Sequence, residues 1–191
     1  MRTVFFDIDT QNDFMLPAGA LYVPGAEHIL PVVARLNRYA AAHSIPLISD
    51  MDAHAENDPE FHVWPPHCVA GTIGQQKPAE TLLEKRVVVA DTPGEYFIEG
   101  AQQILLEKRT LDCFSNPHLP RLLDELAAER YVVYGVVTEY CVKHAALGLL
   151  KTGRQVDLVT DAVKSLKDEE AARFLAQFQS AGGKLITSDE I

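Results

Sequence analysis

The stretch YVVYGVVTEYCVKHAALGLLKTG, residues 131–153, decides how this chain is built. Positions 132–137 form a continuous β-branched run of the kind buried on both faces of a sheet. A tight turn follows, and then an amphipathic helix over 141–151 that stops at Thr152-Gly153. The thiol of Cys141 therefore falls at the opening of a helix. The N–H groups and the positive dipole end there favour a thiolate, so the placement is that of a nucleophile. A lone cysteine in apolar surroundings is more often small core filler, and the reading needs other reactive groups at the same place.

The same alternation extends outward in both directions. Strand-like runs occupy 3–8, 46–49, 86–90, 155–159 and 184–187, and QQILLEK at 102–108 is an apolar strand ending in charge. Helical spacing appears over 26–43, through Ile29, Leu30, Val33, Leu36 and Ala40, and again over 119–129 and 168–181. Strand and helix in turn imply right-handed crossovers, hence an α/β fold with a parallel sheet covered on both faces. No repeat, low-complexity tract or linker interrupts the pattern, so one domain over 1–191 is expected. Residues 50–85 alone break the rhythm, and a loop of that length in a compact domain is usually functional.

Composition narrows the function. The chain has 191 residues, 47% hydrophobic and 23% charged, with a net charge of −10. That charge disfavours nucleic acid and anionic membrane as partners. No apolar run approaches the ~18 residues of a membrane span. The opening MRTVFFDIDT is strand-like and lacks a signal-peptide cleavage pattern. Cys68, Cys113 and Cys141 show no paired spacing, so neither a disulfide framework nor a cysteine zinc site is expected, and a reducing cytoplasm fits.

In open α/β sheets ligands bind beyond the C-terminal ends of the strands. Asp9 ends the first strand, 50–54 follows the second, and Cys141 follows the fifth or so, which puts all three on one rim. Asp9 would sit on a central strand at the mouth of a crevice, where desolvation raises a carboxyl toward the range useful for proton transfer. Asp7 and Asp13 read instead as turn or helix caps. Lys108, at the end of its strand, would ordinarily reach for water; beside Asp9 and Cys141 its ammonium can stabilise both thiolate and carboxylate. The loop offers Asp52, His54, Glu60, His62 and His67. Asp-x-His sets two ligands on one side of an extended segment, and a later His completes a set for zinc or iron. Pro65-Pro66 stiffens the chain just before His67.

Taken together these residues resemble the nicotinamidase branch of the isochorismatase-like cysteine hydrolases. The opening block DIDTQNDFMLPAGALYVPGAE matches over 7–27, the lysine block maps to Lys108 with Phe114 as its following aromatic, and GVVTEYCV matches over 135–142. The metal segment is matched by Asp52, His54, Trp64 to Cys68, and Gly71-Thr72. The resemblance implies a Rossmann-like three-layer sandwich with a six-stranded, mostly parallel sheet. It implies Asp9, Lys108 and Cys141 as the catalytic set and a cis peptide at Val136-Val137. The oxyanion hole would form from the N–H groups of Val137 and Cys141. Phe14 and Trp64 become candidate walls for a substrate ring. A divalent metal, zinc with iron or manganese as alternatives, would be held by Asp52, His54 and His67, with either Glu60 or His62 as a further ligand. The activity implied is hydrolysis of nicotinamide to nicotinic acid and ammonia, and a homo-oligomer is implied as well. Three alternatives stay open: a cysteine amidase of a carbamoyl or ureido compound, a vinyl-ether hydrolase, and a catalytically silent assembly module.

Overall fold

Bulky side chains alternate along β1 (Thr3–Ile8): Val4, Phe6 and Ile8 point into one apolar layer and Phe5 into the other. That two-residue period is what a strand buried on both faces requires. The computed structural model describes residues 1–191. After β1 come the short α1 (Asn12–Met15), α2 (Leu30–Ala42), β2 (Leu47–Asp52), β3 (Arg86–Val89) and β4 (Gln103–Lys108). Then follow α3 (Leu119–Leu126), β5 (Arg130–Val136), α4 (Lys143–Leu150), β6 (Gln155–Lys164), α5 (Asp168–Ser180) and β7 (Lys184–Ile186).

The strands make one sheet in the order β3-β4-β2-β1-β5-β6-β7, and every neighbouring pair is parallel. The seventh strand exceeds the six that the family resemblance implies. Against the Rossmann order 3-2-1-4-5-6 the extra one is the four-residue edge strand β3, which pairs only with β4. Helix α2 covers one face through Leu30, Val33, Leu36 and Ala40, packed on Phe5, Leu47, Val132 and Tyr134. Helices α3, α4 and α5 cover the other through Leu119, Leu122, Ala145, Leu149, Phe174 and Phe178. Fully burying one such side chain stabilises the fold by about 1.5–3 kcal/mol. No helix is long and apolar enough to cross a membrane.

Several expected boundaries move, each for a local reason. The second strand runs on through Asp52, so two carboxylates lie inside the sheet edge rather than after it. Residues 26–29 form a tighter turn before α2, whose first turn holds Pro31. Helix α3 stops at Leu126 because Ala127 adopts a left-handed conformation at φ 45. Most consequential, Cys141 is not in the first turn of α4. It sits in a widened turn, Thr138–Val142, where Tyr140 departs from helical geometry (φ −117, ψ −105).

The order of connection reverses at β1, which has β2 on one side and β5 on the other. Ligand sites in such sheets lie at that switch point. Gly135 in β5 lets the two central strands close up there: at φ 119 a Cβ would stand 2.1 Å from the carbonyl oxygen of Ile8. Only glycine fits that approach, and it brings Asp9 beside the cis peptide Val136-Val137.

Candidate active site

Four side chains meet at the C-terminal edge of the sheet. Asp9 follows β1, Asp52 ends β2, Lys108 ends β4 and Cys141 follows β5. The Lys108 ammonium donates to Asp9 Oδ2 at 2.9 Å and lies 3.8 Å from Cys141 Sγ. It also donates a short hydrogen bond to Asp52 Oδ1. Lys108 is fully buried. Its ammonium is taken up by the buried carboxylates of Asp9 and Asp52, so the reach to water expected of an ordinary terminal lysine does not occur. Asp9 takes a left-handed backbone conformation (φ 46), held by its N–H on Asp50 O at 3.0 Å.

Burial and charge set the protonation states. Burial, aided by the Asp52 carboxylate, raises Asp9 to about 6, against the pull of Lys108 and a hydrogen bond from Cys141. Burial works against the Lys108 ammonium, but Asp52 and Asp9 outweigh it and hold Lys108 well above the usual lysine range. For Asp52 burial is again opposed, by Lys108 and by His54 and His67, and the carboxyl ends well below the usual range. Burial also pushes the Cys141 thiol well above its ordinary range, with Lys108 pulling the other way. The resting residue is therefore a thiol. The thiolate expected from a helix N-terminus fails because α4 begins two residues later and the low-dielectric surroundings disfavour charge.

Beside this set, Asp52, His54 and His67 bring one ligand atom each within 4.8 Å of one another. The short bridge between His54 and Val69 folds the loop back, and Cys68 N donates to Asp13 Oδ2 at 2.7 Å to pin it. Nδ1 of His67 engages Pro65 O at 2.7 Å. Nδ1 of His54 lies 3.1 Å from Asp58 Oδ2 without the alignment of a hydrogen bond. Both imidazoles thus turn Nε2 toward Asp52 Oδ2, at 3.6 Å and 3.7 Å. Burial lowers the His54 pKa, but Asp52 and Asp58 more than restore it. Two imidazole nitrogens and a carboxylate oxygen suit zinc, iron or manganese. The buried and otherwise unpartnered Nε2 of His54 is the kind of atom a cation satisfies.

Of the two expected further ligands, neither joins that cluster. Glu60 is partly buried and lines the neighbouring cavity, where burial and the Asp52 charge raise its carboxyl. His62 is exposed and does not line the cavity.

That cavity has a volume of about 400 Å³ and opens onto Cys141, Asp9, Asp52 and His67. Phe14 and Trp64, the expected walls, both line it, with Tyr140, Leu166, Leu21, Val23 and Leu111. Phe14 stands 5.3 Å from the His67 ring, and Trp64 meets Tyr140 edge-on at 5.4 Å. Val137 shares the cavity with Cys141.

Sequence reading missed three residues around the site. Gln11, fully buried, pairs with the main chain of Asp52 in both directions at 2.8 Å and donates to Gln75 O at 2.8 Å. Asp58 backs His54, and Glu139 ties the cysteine turn to α5. A His-x-x-x-Asp spacing before Pro59 was available as a signal for Asp58; no local signal marks the other two. Asp13, expected to cap a turn or helix start, accepts the main-chain N–H of Ala20 at 3.0 Å and also that of Cys68 at 2.7 Å, which ties down the 50–85 loop. Asp7 is not a cap: it lies inside β1 and pairs with the buried Lys77 at 3.2 Å, with Thr10, Asn37 and Ser49 donating to it. Asp50, two residues before Asp52, is buried with both carboxyl oxygens unpartnered, and burial raises it well above the usual carboxylate range.

A sequence profile of the isochorismatase domain matches residues 3–190. The chain is 27% identical to the nicotinamidase of Escherichia coli, over 94% of this chain and 92% of that protein. The solved pyrazinamidase of Pyrococcus horikoshii in complex with zinc superposes with a TM-score of 0.82 at 30% identity, covering 98% of this chain and 99% of that one. A pyrazinamidase/nicotinamidase structure from Streptococcus mutans gives a TM-score of 0.81 at 27% identity, with 96% and 99% covered.

Proposed function

The chain belongs to the isochorismatase family, and we propose that it is a cysteine-dependent amidohydrolase that converts nicotinamide to nicotinic acid and ammonia. One observation carries the reading: a buried ammonium within 2.9 Å of the Asp9 carboxylate and 3.8 Å of the Cys141 thiol, where both acceptors line an apolar cavity together with Asp52 and His67 of the imidazole–carboxylate cluster. The similarity to proteins named nicotinamidase and pyrazinamidase supports the choice of a heteroaromatic amide.

The chemistry starts from thiol and carboxylate. Asp9, with its pKa near 6, accepts the Cys141 proton as Sγ attacks the carboxamide carbon. Lys108 compensates the negative charge as it moves from carboxylate to sulfur to substrate oxygen. The N–H groups of Val137 and Cys141 receive that oxygen. Asp9 returns the proton to the leaving nitrogen, ammonia departs, and a thioester remains. Asp9 then takes a proton from water, hydroxide adds to the thioester, and collapse expels sulfur, which recovers that proton from Asp9 while the product acid leaves and gives up its own proton to solvent. Phe14 and Trp64 hold the ring between apolar walls. A divalent metal on Asp52, His54 and His67 supplies, when bound, a Lewis-acidic contact for a ring nitrogen.

The test is ammonia release from nicotinamide, pyrazinamide and a ureido compound, by the wild type and by Cys141→Ala, with and without added zinc. Turnover of the two aromatic amides that disappears in Cys141→Ala is the expected result. Full release from that variant would refute the nucleophile, and preference for the ureido compound would replace the substrate.

A further inference from the structure

The turn that carries Cys141 is fastened to the cavity wall by a carboxylate that the mechanism does not use. Glu139 is nine-tenths buried, with 6% of its surface exposed. Its Oε1 accepts the N–H of Leu166 at 2.9 Å and that of Lys167 at 2.7 Å. Those donors belong to the segment between β6 and α5, and Leu166, partly exposed, lines the same cavity as Cys141. The second oxygen, Oε2, is buried without a partner. Lys143 and Arg173 line the recess beside this carboxylate without forming a salt bridge to it, and the contacts that fix it are the two main-chain donors just before a 13-residue helix.

We propose that Glu139 is a positioning residue that sets substrate specificity through Leu166. Two residues from the nucleophile, it measures out the distance between Cys141 and the wall that the substrate ring must clear. A side chain cut back to Cβ would leave the Leu166 and Lys167 N–H groups without their acceptor, and the segment would move out to find water. Leu166 would then withdraw from the ring while Asp9 and Lys108 stayed at the ends of β1 and β4, and Cys141 stayed in a turn still closed by the Tyr140 and Val142 N–H groups on Val137 O at 3.0 Å and 3.2 Å. Binding is lost and chemistry is kept. Tyr140, the next residue in the turn, meets Trp64 edge-on at 5.4 Å.

This inference deepens the amidase reading and rests on Cys141 being the reacting atom, so it is tested in two ways. In steady-state hydrolysis of the amide that the wild type prefers, Glu139→Ala is expected to raise KM about ten-fold with kcat within about two-fold, as loss of one apolar contact would. Leu166→Ala should reproduce that split, and the double variant should be no worse than either single. Glu139→Gln, which keeps an acceptor at Oε1, should restore wild-type KM. A fall in kcat at unchanged KM in Glu139→Ala, or additive effects in the double variant, overturns the proposal. The second readout needs no substrate: the ratio of alkylation rates at Cys141 by an N-benzyl haloacetamide and by iodoacetamide should rise in Glu139→Ala and in Leu166→Ala. If no amide is hydrolysed, the amidase reading fails and this ratio alone decides. Should Glu139→Ala not fold, an unchanged ratio in Leu166→Ala still refutes the role of the wall.

Discussion

Replacing Asp9 by Asn should abolish hydrolysis and at the same time make the protein more stable. Asn has the shape of a protonated Asp and keeps an oxygen for Lys108, so the variant mimics the native chain with its Asp9 proton fixed in place. In the folded protein burial and the Asp52 carboxylate raise Asp9 to about 6, whereas an unfolded chain holds it near 3.9. Each pH unit between those values is worth about 1.4 kcal/mol, so the charged form of Asp9 costs the fold about 3 kcal/mol at neutral pH. Between the two pKa values the native state binds more protons than the unfolded one, and wild-type stability falls as pH rises through that window. The advantage of Asp9→Asn is thus full above about 6, shrinks between 6 and 4, and vanishes below. For a chain of this size about 3 kcal/mol corresponds to a rise in Tm of about 6–12 °C. Urea unfolding of metal-free wild type and variant at pH 7.5 and at pH 4 measures the difference directly, since every other titrating group is shared. An Asn variant less stable than wild type at pH 7.5, or a gap that ignores pH, would refute the assignment of the raised pKa to Asp9.

Three further outcomes follow from the same geometry. Lys108→Met leaves Asp9 and Asp52 buried without their cation and should lower stability by about 3–5 kcal/mol, seen as an earlier urea midpoint; an unmoved midpoint would mean that the two carboxylates find other compensation. Cys141 should react slowly with iodoacetamide at pH 7 and faster as pH rises, because burial holds it as a thiol. Labelling already fast at pH 7 would restore the helix-dipole thiolate. Asp58→Asn removes the charge 3.1 Å behind His54 and should weaken zinc binding about 10–100-fold by calorimetry, the usual effect of losing a carboxylate behind a ligating histidine. Equal affinity would make Asp58 a loop cap and nothing more, through its bond to Glu60 N.

What could be read from the sequence, and what could not, divides along the range of the forces involved. Strand periods, helix stops and the strand-end positions of Asp9, Lys108 and Cys141 are local features. A parallel sheet then carries every strand end to one edge, so their meeting follows from topology alone. Gln11 and Glu139 escaped notice because their partners are main-chain groups 41 and 27 residues away, and backbone N–H and C=O look alike at every position. Asp7 was misread for a similar reason, its partner Lys77 arriving from 70 residues further on. The protonation of Cys141 was misjudged on different grounds. A helix start can be read from residues 138–143, but the depth at which the turn is buried cannot. One burial accounts for both halves of the chemistry: the low-dielectric floor that keeps the thiol protonated also lifts Asp9 into the range where it can take that proton. A thiolate at rest would have left Asp9 no proton to take from sulfur, so the failed expectation and the raised carboxyl are two consequences of a single placement.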